Sequence, residues 1–337
     1  MASQSDWTLL HARVHRTLRS RGLVSRGQHI LVAVSGGQDS LCLAKLLLDL
    51  QPKWNWQLAV AHCNHQWRDD ATANAAYVEQ LAGAWNVRFH CQTTPQVLAS
   101  EAAAREWRYQ TLRTIAQENN YSHVVTGHTA SDRAETLLYN LTRGSGTDGL
   151  QALTWQRMLD NIVLVRPLLA VTRAQTAQFC QQMHLQVWED RTNQDLKYAR
   201  NRIRQELLPY LQHHFNPHVE QNLAQTAEIL QAEVEYLEFA AQQLRQQVQA
   251  AAPPNGIKLN CEMLRAAPLA LQRRVIRQVL QQIITNVNFA HIEKVTALIA
   301  APNGSQTDPF PGGTIAQVRN GWILIDSRLP HSPQPLG

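Results

Sequence analysis

Cysteine is scarce in this chain, and its spacing excludes several kinds of site. The five cysteines are Cys42, Cys63, Cys91, Cys180 and Cys261, and no two of them form a C-x-x-C pair. An odd number at wide spacing argues against a disulfide framework, a zinc site of the usual spacing and a dithiol redox centre. The composition fits a reducing compartment, and we predict a cytoplasmic protein.

Long apolar runs are missing as well. No stretch approaches the ~20 apolar residues that a membrane span needs. The 337 residues include 44% hydrophobic and 17% charged residues, which is ordinary for a globular protein. Acidic residues are fewer than basic ones, 26 against 31, and the net charge is +5. We therefore predict a soluble protein without a membrane partner, whose weak positive charge is compatible with a polyanionic partner.

Acidic residues are almost absent from the first 26 positions, which resemble an organelle transit peptide in being rich in arginine. The apolar residues of this segment nevertheless keep helical spacing: Trp7, Leu10, Val14 and Leu18. Ser5 or Asp6 is available as the N-cap. We predict an integral first helix that leads into the first strand.

The lysine of a Walker loop is missing from the most informative stretch of the chain, Ser35-Gly36-Gly37-Gln38-Asp39-Ser40. An apolar, β-branched run precedes this stretch and a helical pattern follows it, so it lies at a helix N-terminus. Adjacent glycines and two hydroxyls at that place are typical of a phosphate cradle. Asp39 would repel phosphate unless a divalent cation or a cationic substrate intervenes.

Strands alternate with helices over the first half of the chain. The patterns predict strands at 56–62, 87–91, 123–127 and 162–165, and helices at 69–85, 101–117 and 131–141. This alternation is typical of an α/β fold with a doubly wound parallel sheet, which binds ligands at the carboxyl ends of its strands.

Polar residues cluster directly after these strands. His128, Asp132 and Glu135 follow the predicted strand at 123–127, and the two carboxylates share one helical face. Such a pair is able to hold a metal ion or a substrate ammonium. A capped helix start with favourable electrostatics explains the same residues equally well.

Two cationic stretches follow. Arg143 lies in the glycine-rich segment 141–150, which either closes on a large substrate or simply connects two elements. Residues 197–204 concentrate basic residues around Tyr198, and phosphate contacts with base stacking are natural uses of such a stretch. A solvated helical face is the alternative.

Composition changes after residue 210, where no catalytic pattern is found. Apolar spacings of four and three over 223–248 predict one long packed helix, with a coiled-coil homodimer as an option. The segment 251–256 breaks this helix, two helical stretches cover 261–284 and 289–300, and hairpins are predicted over 304–325. The predicted domains are 1–215 for catalysis and 216–328 for a smaller, mainly helical domain, followed by a disordered tail at 329–337.

Several ordered motifs between residues 25 and 210 together resemble the bacterial tRNA(Ile)-lysidine synthetases, a branch of the PP-loop ATP pyrophosphatases. The motifs are residues 35–40, Cys63-Asn64-His65, the Glu101 to Tyr109 segment, Gly127-His128 with Asp132 and Glu135, the glycine-rich 143–150, Arg166-Pro167-Leu168-Leu169, Trp188 with Asp190 and Asn193, and Arg200-Asn201 with Arg204.

The resemblance implies an enzyme that uses ATP to adenylylate the C2 oxygen of the wobble cytidine in a tRNA(Ile) with anticodon CAU. Free lysine then displaces AMP. ATP would be held by Ser35, Gly36, Gly37, Gln38, Asp39 and Ser40, with Mg²⁺ placed through Asp39. The implied catalytic residues are Asp39, Arg105, His128, Asp132 and Glu135, and the implied tRNA contacts are Arg143, Asn193, Arg200, Asn201 and Arg204.

Two features depart from that family. His128-Thr129 stands where two consecutive histidines are usual, and the chain is expected to lack the additional C-terminal domain of many relatives. The alternatives are a PP-loop tRNA thiolase, which the cysteine spacing disfavours, and a catalytically silent tRNA-binding protein, for which three retained carboxylates would have no evident use.

Overall fold

A computed structural model describes residues 7–66, 70–95, 99–188, 195–252 and 256–326. The chain divides into two compact units, residues 1–231 and 232–337. The functional boundary at residues 215–216 stays a prediction, because compactness does not assign a function to either side. The predicted tail and the predicted N-caps Ser5 and Asp6 lie outside the described residues.

The first unit is built on a six-stranded sheet. Its strands are β1 (His29–Ala33), β2 (Gln57–Asn64), β3 (Arg88–Thr93), β4 (His123–Val125), β5 (Gln156–Leu159) and β6 (Ile162–Val165). The order is β3-β2-β1-β4-β6-β5, and every neighbouring pair is parallel except β5 with β6. The predicted α/β fold with a mostly parallel sheet is therefore confirmed.

Helices connect these strands and cover the sheet. They are α1 (Leu9–Ser20), α2 (Gln38–Trp54), α3 (Ala71–Ala84), α4 (Glu101–Glu118), α5 (Ala130–Thr142), α6 (Thr147–Leu150), α7 (Arg173–Gln182), α8 (Ala199–Arg202) and α9 (Leu208–His214). A π-helical segment, Ile203–Leu207, joins α8 to α9. The apolar faces of α1 and α2 pack with β1 in one core, and α4 packs on the opposite side of the sheet.

Two details of this unit differ from the sequence expectations. Thr8 caps α1, and its hydroxyl accepts from the backbone N–H of His11 in a capping box. The edge strand β5 was missed, because Gln156–Leu159 carries little apolar patterning. It forms only as the antiparallel partner of β6, whose apolar run was predicted.

A buried ion-pair network ties α5 to the long helix α10 (Val219–Val248) within the first unit. Arg133 is 1% exposed, and it donates to Glu228 at 2.6 Å and to Gln231 at 2.9 Å. The indole of Trp155 donates to the same Glu228 carboxylate at 2.6 Å. Burial lowers the pKa of Arg133, while Glu228 opposes this effect. Glu228 thus supplies the negative charge and the hydrogen-bond acceptor that stabilise the buried guanidinium of Arg133.

Replacing Glu228 by alanine is expected to lower the free energy of unfolding by about 3 kcal/mol, at the low end for a broken buried pair because the carboxylate is partly exposed. Urea unfolding followed by circular dichroism measures this loss. Arg113→Ala is the matched control, since it removes an exposed pair with Asp160 and is expected to cost less than about 1 kcal/mol. Equal losses in the two variants would contradict the assignment.

The second unit combines helices with a four-stranded antiparallel sheet. Its helices are α11 (Cys261–Ala266), α12 (Leu269–Leu280) and α13 (Phe289–Leu298), and its strands are β7 (Gln249–Ala252), β8 (Gly256–Asn260), β9 (Ile315–Arg319) and β10 (Trp322–Asp326). The sheet order is β7-β8-β10-β9. The predicted hairpin of β9 and β10 is confirmed.

One prediction for the second unit was wrong in detail, and another was incomplete. The stretch 261–284 is not one helix, because Pro268 ends the α11 segment and begins α12. The segment 251–256 does more than break the long helix, since β7 and β8 on either side of residues 253–255 pair with each other. In the part of the chain that the structure describes, no helix is both long and apolar enough to cross a membrane.

Candidate active site

The loop at residues 35–40 lies between the end of β1 and the start of α2, at the carboxyl edge of the sheet. The Ser40 hydroxyl accepts from the Ser35 backbone N–H at 3.1 Å and donates to the Gly37 carbonyl at 2.8 Å. Gly37 is the N-cap of α2 and has no side chain to satisfy the first helical N–H groups. The loop thus presents a helix N-terminus bordered by two hydroxyls, which is suited to an anion.

Glycine is required at two places around this loop. Gly36 has φ +88°, and a Cβ there would lie 2.3 Å from the side-chain oxygen of Asn74. Gly127, which follows β4, lies against the loop so closely that a Cβ would be 2.8 Å from the Asp39 carbonyl oxygen. Asn74 of α3 and the residue that follows β4 therefore both approach the loop so closely that no side chain fits at either glycine.

Gln38 and Asp39 point from the loop toward α7. The Gln38 amide donates to the Arg173 carbonyl at 2.8 Å and to the Thr176 hydroxyl at 3.1 Å. The Thr176 hydroxyl in turn donates to Asp39. Gln38, predicted as an ATP contact, thus also anchors the first turn of a helix that the sequence did not implicate.

Three predicted acidic residues meet at this edge of the sheet. Asp39 begins α2, and Asp132 and Glu135 lie on one face of the first turns of α5. Their carboxylates surround a single guanidinium: Arg173 donates to Asp39 at 3.1 Å, to Asp132 at 2.8 Å and to Glu135 at 3.0 Å. We call Asp39, Asp132, Glu135 and Arg173 the carboxylate cluster.

Arg173 was missed by sequence reasoning, although a signal was present. It begins α7, just after the Arg166-Pro167-Leu168-Leu169 motif that follows β6. Arg173 follows the parallel strand β6, and ligands gather after parallel strands, so its position in the sequence is the signal. Because the three carboxylates surround the Arg173 guanidinium, the cluster is a place that stabilises a positively charged group.

Arg204 joins the same cluster from the π-helical segment. Its guanidinium donates to the two oxygens of Glu135 at 2.7 and 2.9 Å. Glu135 is 3% exposed in its side chain, whereas Asp132 is 20% exposed. Glu135 is therefore held on both oxygens from inside, and Asp132 and Asp39 are the carboxylates that an incoming ligand is able to reach.

The pKa values of Asp39 and Asp132 shift in opposite directions. Burial raises the pKa of Asp39; Arg173 opposes this rise and Asp132 adds to it. Burial also acts to raise the pKa of Asp132, but Arg173, His128 and Thr129 together hold it below its ordinary value. Asp132 therefore stays ionised at neutral pH.

Thr129, the departure from the usual histidine pair, is a completely buried N-cap of α5. Its backbone N–H and its hydroxyl both donate to Asp132 at 2.8 Å. Thr129 thus fixes the orientation of the Asp132 carboxylate and caps α5. The start of this helix therefore does not require a second histidine at position 129.

His128 lies beside this carboxylate, and its Nδ1 is 2.8 Å from the Thr126 hydroxyl. Burial lowers the pKa of His128 far below its ordinary value of 6.5, and Arg166 and Arg105 add to this effect while Asp132 opposes it. Arg105 packs over the Tyr109 ring at 5.1 Å on α4. The structure therefore brings the predicted residues Arg105, His128 and Asp132 into one electrostatic neighbourhood.

Histidine burial has a consequence for the pH dependence of folding. Burial, with smaller contributions from Arg108 and His62, lowers the pKa of His65 to about 4, and burial lowers that of His128 in the same direction. Both imidazoles then bind fewer protons when folded than when unfolded. Stability is complete above the unfolded pKa near 6.5 and decreases as the pH falls below it.

We expect the free energy of unfolding to fall between pH 7 and pH 5, and His65→Asn to flatten this dependence. Urea unfolding at pH 8, 7, 6 and 5 measures both curves, and the interval from pH 8 to 7 is the internal control, where these two imidazoles contribute little slope. An unchanged slope in the His65 variant would remove this residue from the explanation.

The predicted tRNA contacts do not form one group. Arg143 and Arg200 both pack on the Tyr139 ring, at 5.4 and 5.9 Å, and Arg200 also lies 3.7 Å from Glu101. Asn201 is buried and its amide donates to the Asp195 carbonyl. Arg204 belongs to the carboxylate cluster, and Asn193 lies outside the described residues.

Sites for other cofactors find no support in the described ranges. All five cysteines are free thiols, and burial raises the pKa of Cys63 and of Cys180 to about 12. Among residues 7–326 outside the four internal gaps, no group of three or more His, Cys, Asp or Glu side chains is arranged to hold a metal ion.

Comparisons with known proteins identify the two parts of the chain. The family model described as a PP-loop domain matches residues 9–211, and the model described as a TilS substrate binding domain matches residues 259–323. A solved U34-tRNA thiolase, NcsA from Methanococcus maripaludis with its [4Fe-4S] cluster, has a TM-score of 0.56 at 15% identity, over 66% of this chain and 77% of that one. The fold and loop therefore define a PP-loop ATP-binding protein.

Whole-chain relatives are more specific. A tRNA(Ile)-lysidine synthase of Nostoc sp. is 63% identical over 95% of this chain and 97% of its own. The enzyme of the same name in Thermosynechococcus vestitus is 49% identical, over 97% and 94%, and a chloroplastic one in Zygnema circumcarinatum is 35% identical, over 96% and 91%. The chain belongs to the tRNA(Ile)-lysidine synthase family.

Proposed function

We propose that this protein is a tRNA(Ile)-lysidine synthase. It ligates free lysine to C2 of the wobble cytidine in tRNA(Ile) with anticodon CAU, through an adenylylated tRNA, and releases AMP and pyrophosphate. The product reads AUA as isoleucine instead of AUG as methionine. The observation that carries the proposal is the carboxylate cluster beside the phosphate loop, in a chain of this family.

ATP fits the phosphate loop on structural grounds. The absent Cβ atoms of Gly36 and Gly37 leave backbone approachable at the N-terminus of α2, and Ser35 and Ser40 supply hydroxyls. Asp39 is the one carboxylate of the loop, and a Mg²⁺ ion is commonly held by one or two carboxylates together with substrate phosphates. Bound there, the ion would neutralise charge on the departing pyrophosphate.

The lysine amine is assigned to the outer side of the carboxylate cluster. Glu135 is 3% exposed and is held on both oxygens by Arg204, so a substrate ammonium would contact the more exposed Asp132 and Asp39. The imidazole of His128, which burial keeps neutral, lies next to Asp132 and is proposed to contact the reacting groups through hydrogen bonds. Arg105 and Arg166 place positive charge where phosphate and the reacting base would lie.

Binding of tRNA is assigned to both units. Arg143, Arg200, Asn201 and Asn193 are proposed to contact RNA near the reaction site, and Arg204 to hold Glu135 in place while doing so. The second unit contains the segment that matches the substrate binding domain of the family. A homodimer stays a prediction, which light scattering at micromolar concentration would check.

The deciding experiment is incorporation of radiolabelled lysine into unmodified tRNA(Ile) with anticodon CAU, with and without ATP, beside initiator tRNA(Met). ATP-dependent label on tRNA(Ile) alone is the expected result. Pyrophosphate release without label would mean that adenylylation is right and that the nucleophile is not lysine. Absence of both would overturn the proposal.

A further inference from the structure

A cavity opens about one helical turn beyond the carboxylate cluster. Its volume is about 500 Å³, and it lies between the C-terminal half of α5 and the segment from α8 to α9. We call it the aromatic pocket; the residues of its lining that matter here are Tyr139, Arg202, Ile203, Glu206, Leu207 and Tyr210. This volume is within the range of small-molecule sites.

The aromatic pocket keeps a large aromatic surface in contact with solvent. Tyr210 is 55% exposed, and its ring lies 4.5 Å from the His214 ring and 6.0 Å from that of Phe215, which is 72% exposed. Aromatic rings that a fold leaves uncovered, grouped on one surface, are typical of a binding site. The pocket is therefore suited to a planar, partly apolar ligand.

Positive charge surrounds the aromatic pocket. Arg143 and Arg200 both lie over the ring of Tyr139, and the Arg202 guanidinium is held on the lining by the Leu196 and Lys197 carbonyls. Cations stacked on aromatic rings beside an exposed tyrosine are the combination by which proteins bind unpaired nucleotides, with charge for phosphate and rings for bases. The complementary partner is a single-stranded nucleic acid.

The aromatic pocket and the carboxylate cluster are joined by shared elements of the first unit. Tyr139 follows Glu135 by four residues on α5, which is a separation of about 6 Å along the helix. Arg204, on the π-helical segment that lines the pocket, donates to both oxygens of Glu135. A π-helical turn within an α-helical run is frequent at functional sites.

We propose that the aromatic pocket binds one unstacked nucleobase of an RNA loop, next to the nucleotide that reacts at the carboxylate cluster. This inference rests on the proposed function and deepens it. The base stacks on Tyr210, its phosphate meets Arg143 and Arg200, and the Glu206 carboxylate accepts from an exocyclic amino group. The pocket therefore favours adenine, cytosine or guanine over uracil.

Tyr210→Ala is expected to weaken binding of an RNA hairpin with the anticodon loop of tRNA(Ile) by about 5- to 150-fold, the range for losing one base stack. Tyr210→Phe should restore wild-type affinity, because the ring is what stacks. Tyr236→Ala is the matched control, since Tyr236 is a 70% exposed tyrosine on α10 outside the pocket. Fluorescence anisotropy measures the affinities, and circular dichroism verifies that each variant is folded.

Two further arms make the result specific. A blunt RNA duplex of the same length should bind wild type and Tyr210→Ala equally, since it offers no unstacked base. Each loop position of the hairpin is changed to uridine in turn, and the loss of affinity reports the preference of the pocket for bases with an exocyclic amino group. Glu206→Gln should reduce this preference. If no single uridine substitution selectively lowers the affinity of wild type for the hairpin, the base-binding assignment is overturned.

The failures of the two proposals are distinguishable. Equal hairpin affinity for Tyr210→Ala and wild type, in a wild-type protein that incorporates lysine into tRNA(Ile), would overturn the pocket and leave the function standing. A dimer that Tyr210→Ala dissociates, with RNA affinity unchanged, would instead assign this surface to a second copy of the chain. Absence of lysine incorporation by wild type would reject the function itself.

Discussion

Asp132→Asn is expected to slow lysine transfer by about a hundred- to a thousandfold, the size of effect seen when one preorganised electrostatic contact at a reacting centre is removed. Asp132 is an ionised carboxylate of the cluster with 20% of its side chain exposed, and its charge would position the substrate ammonium. Asparagine keeps the size and one acceptor oxygen, so the Thr129 cap is still able to form. The fold should therefore persist.

Single-turnover transfer of labelled lysine at saturating ATP measures this effect. Release of pyrophosphate stimulated by tRNA is followed in parallel, because it reports the adenylylation half reaction and should fall much less. Asp160→Asn is the matched control, since this carboxylate is exposed and lies on the β5–β6 turn. An unchanged rate of lysine transfer in Asp132→Asn would remove Asp132 from the lysine site.

Arg173→Ala is expected to lower the free energy of unfolding by about 3–5 kcal/mol at pH 7, the cost of leaving buried charges without their partner. Arg173 is the cation that all three cluster carboxylates contact. Without it, the loss of its positive charge would raise the pKa of Asp39 and Asp132 in the folded protein. A raised folded pKa means that folding takes up protons, so the variant should regain stability as the pH falls from 7 to 5.

Urea unfolding of the Arg173 variants at pH 7 and pH 5 measures this effect. Arg173→Lys keeps one positive charge but not the three-way contact, and an intermediate loss is expected. Arg143→Ala removes an exposed arginine and should cost less than about 1 kcal/mol. A loss in Arg173→Ala that is the same at both pH values would mean that packing, and not charge, dominates.

Local patterns predicted most of the first unit because each element carries its own signal. The strand β6 was predicted at its observed bounds, and the helix of Asp132 and Glu135 within one residue at each end. β5 and the β7–β8 pair were missed, because their residues carry weak local preferences and are held by pairing with partner strands. Pairing with a partner strand therefore determined the secondary structure of segments whose local propensity is neutral.

The candidate site divides in the same way. The loop at 35–40, His128, Asp132 and Glu135 were recognisable because glycines, hydroxyls and carboxylates directly follow predicted strands. The spacing also left two interpretations of Asp132 and Glu135 open, a ligand site or a capped helix start. The structure shows the capped helix start, since Asp132 completes the Thr129 cap, and it shows the other oxygen of Asp132 on Arg173; the ligand site stays a prediction.

The sequence by itself determined the class of fold, the phosphate loop and the order of the polar segments, because all three depend on neighbours along the chain. Only the tertiary structure decided that Arg173 fills the carboxylate cluster, that Arg204 holds Glu135, and that Tyr139 and Tyr210 border one pocket. These contacts join residues that are 41, 69 and 71 positions apart. No local pattern encodes such pairs, because the sheet and its crossover connections alone bring them together.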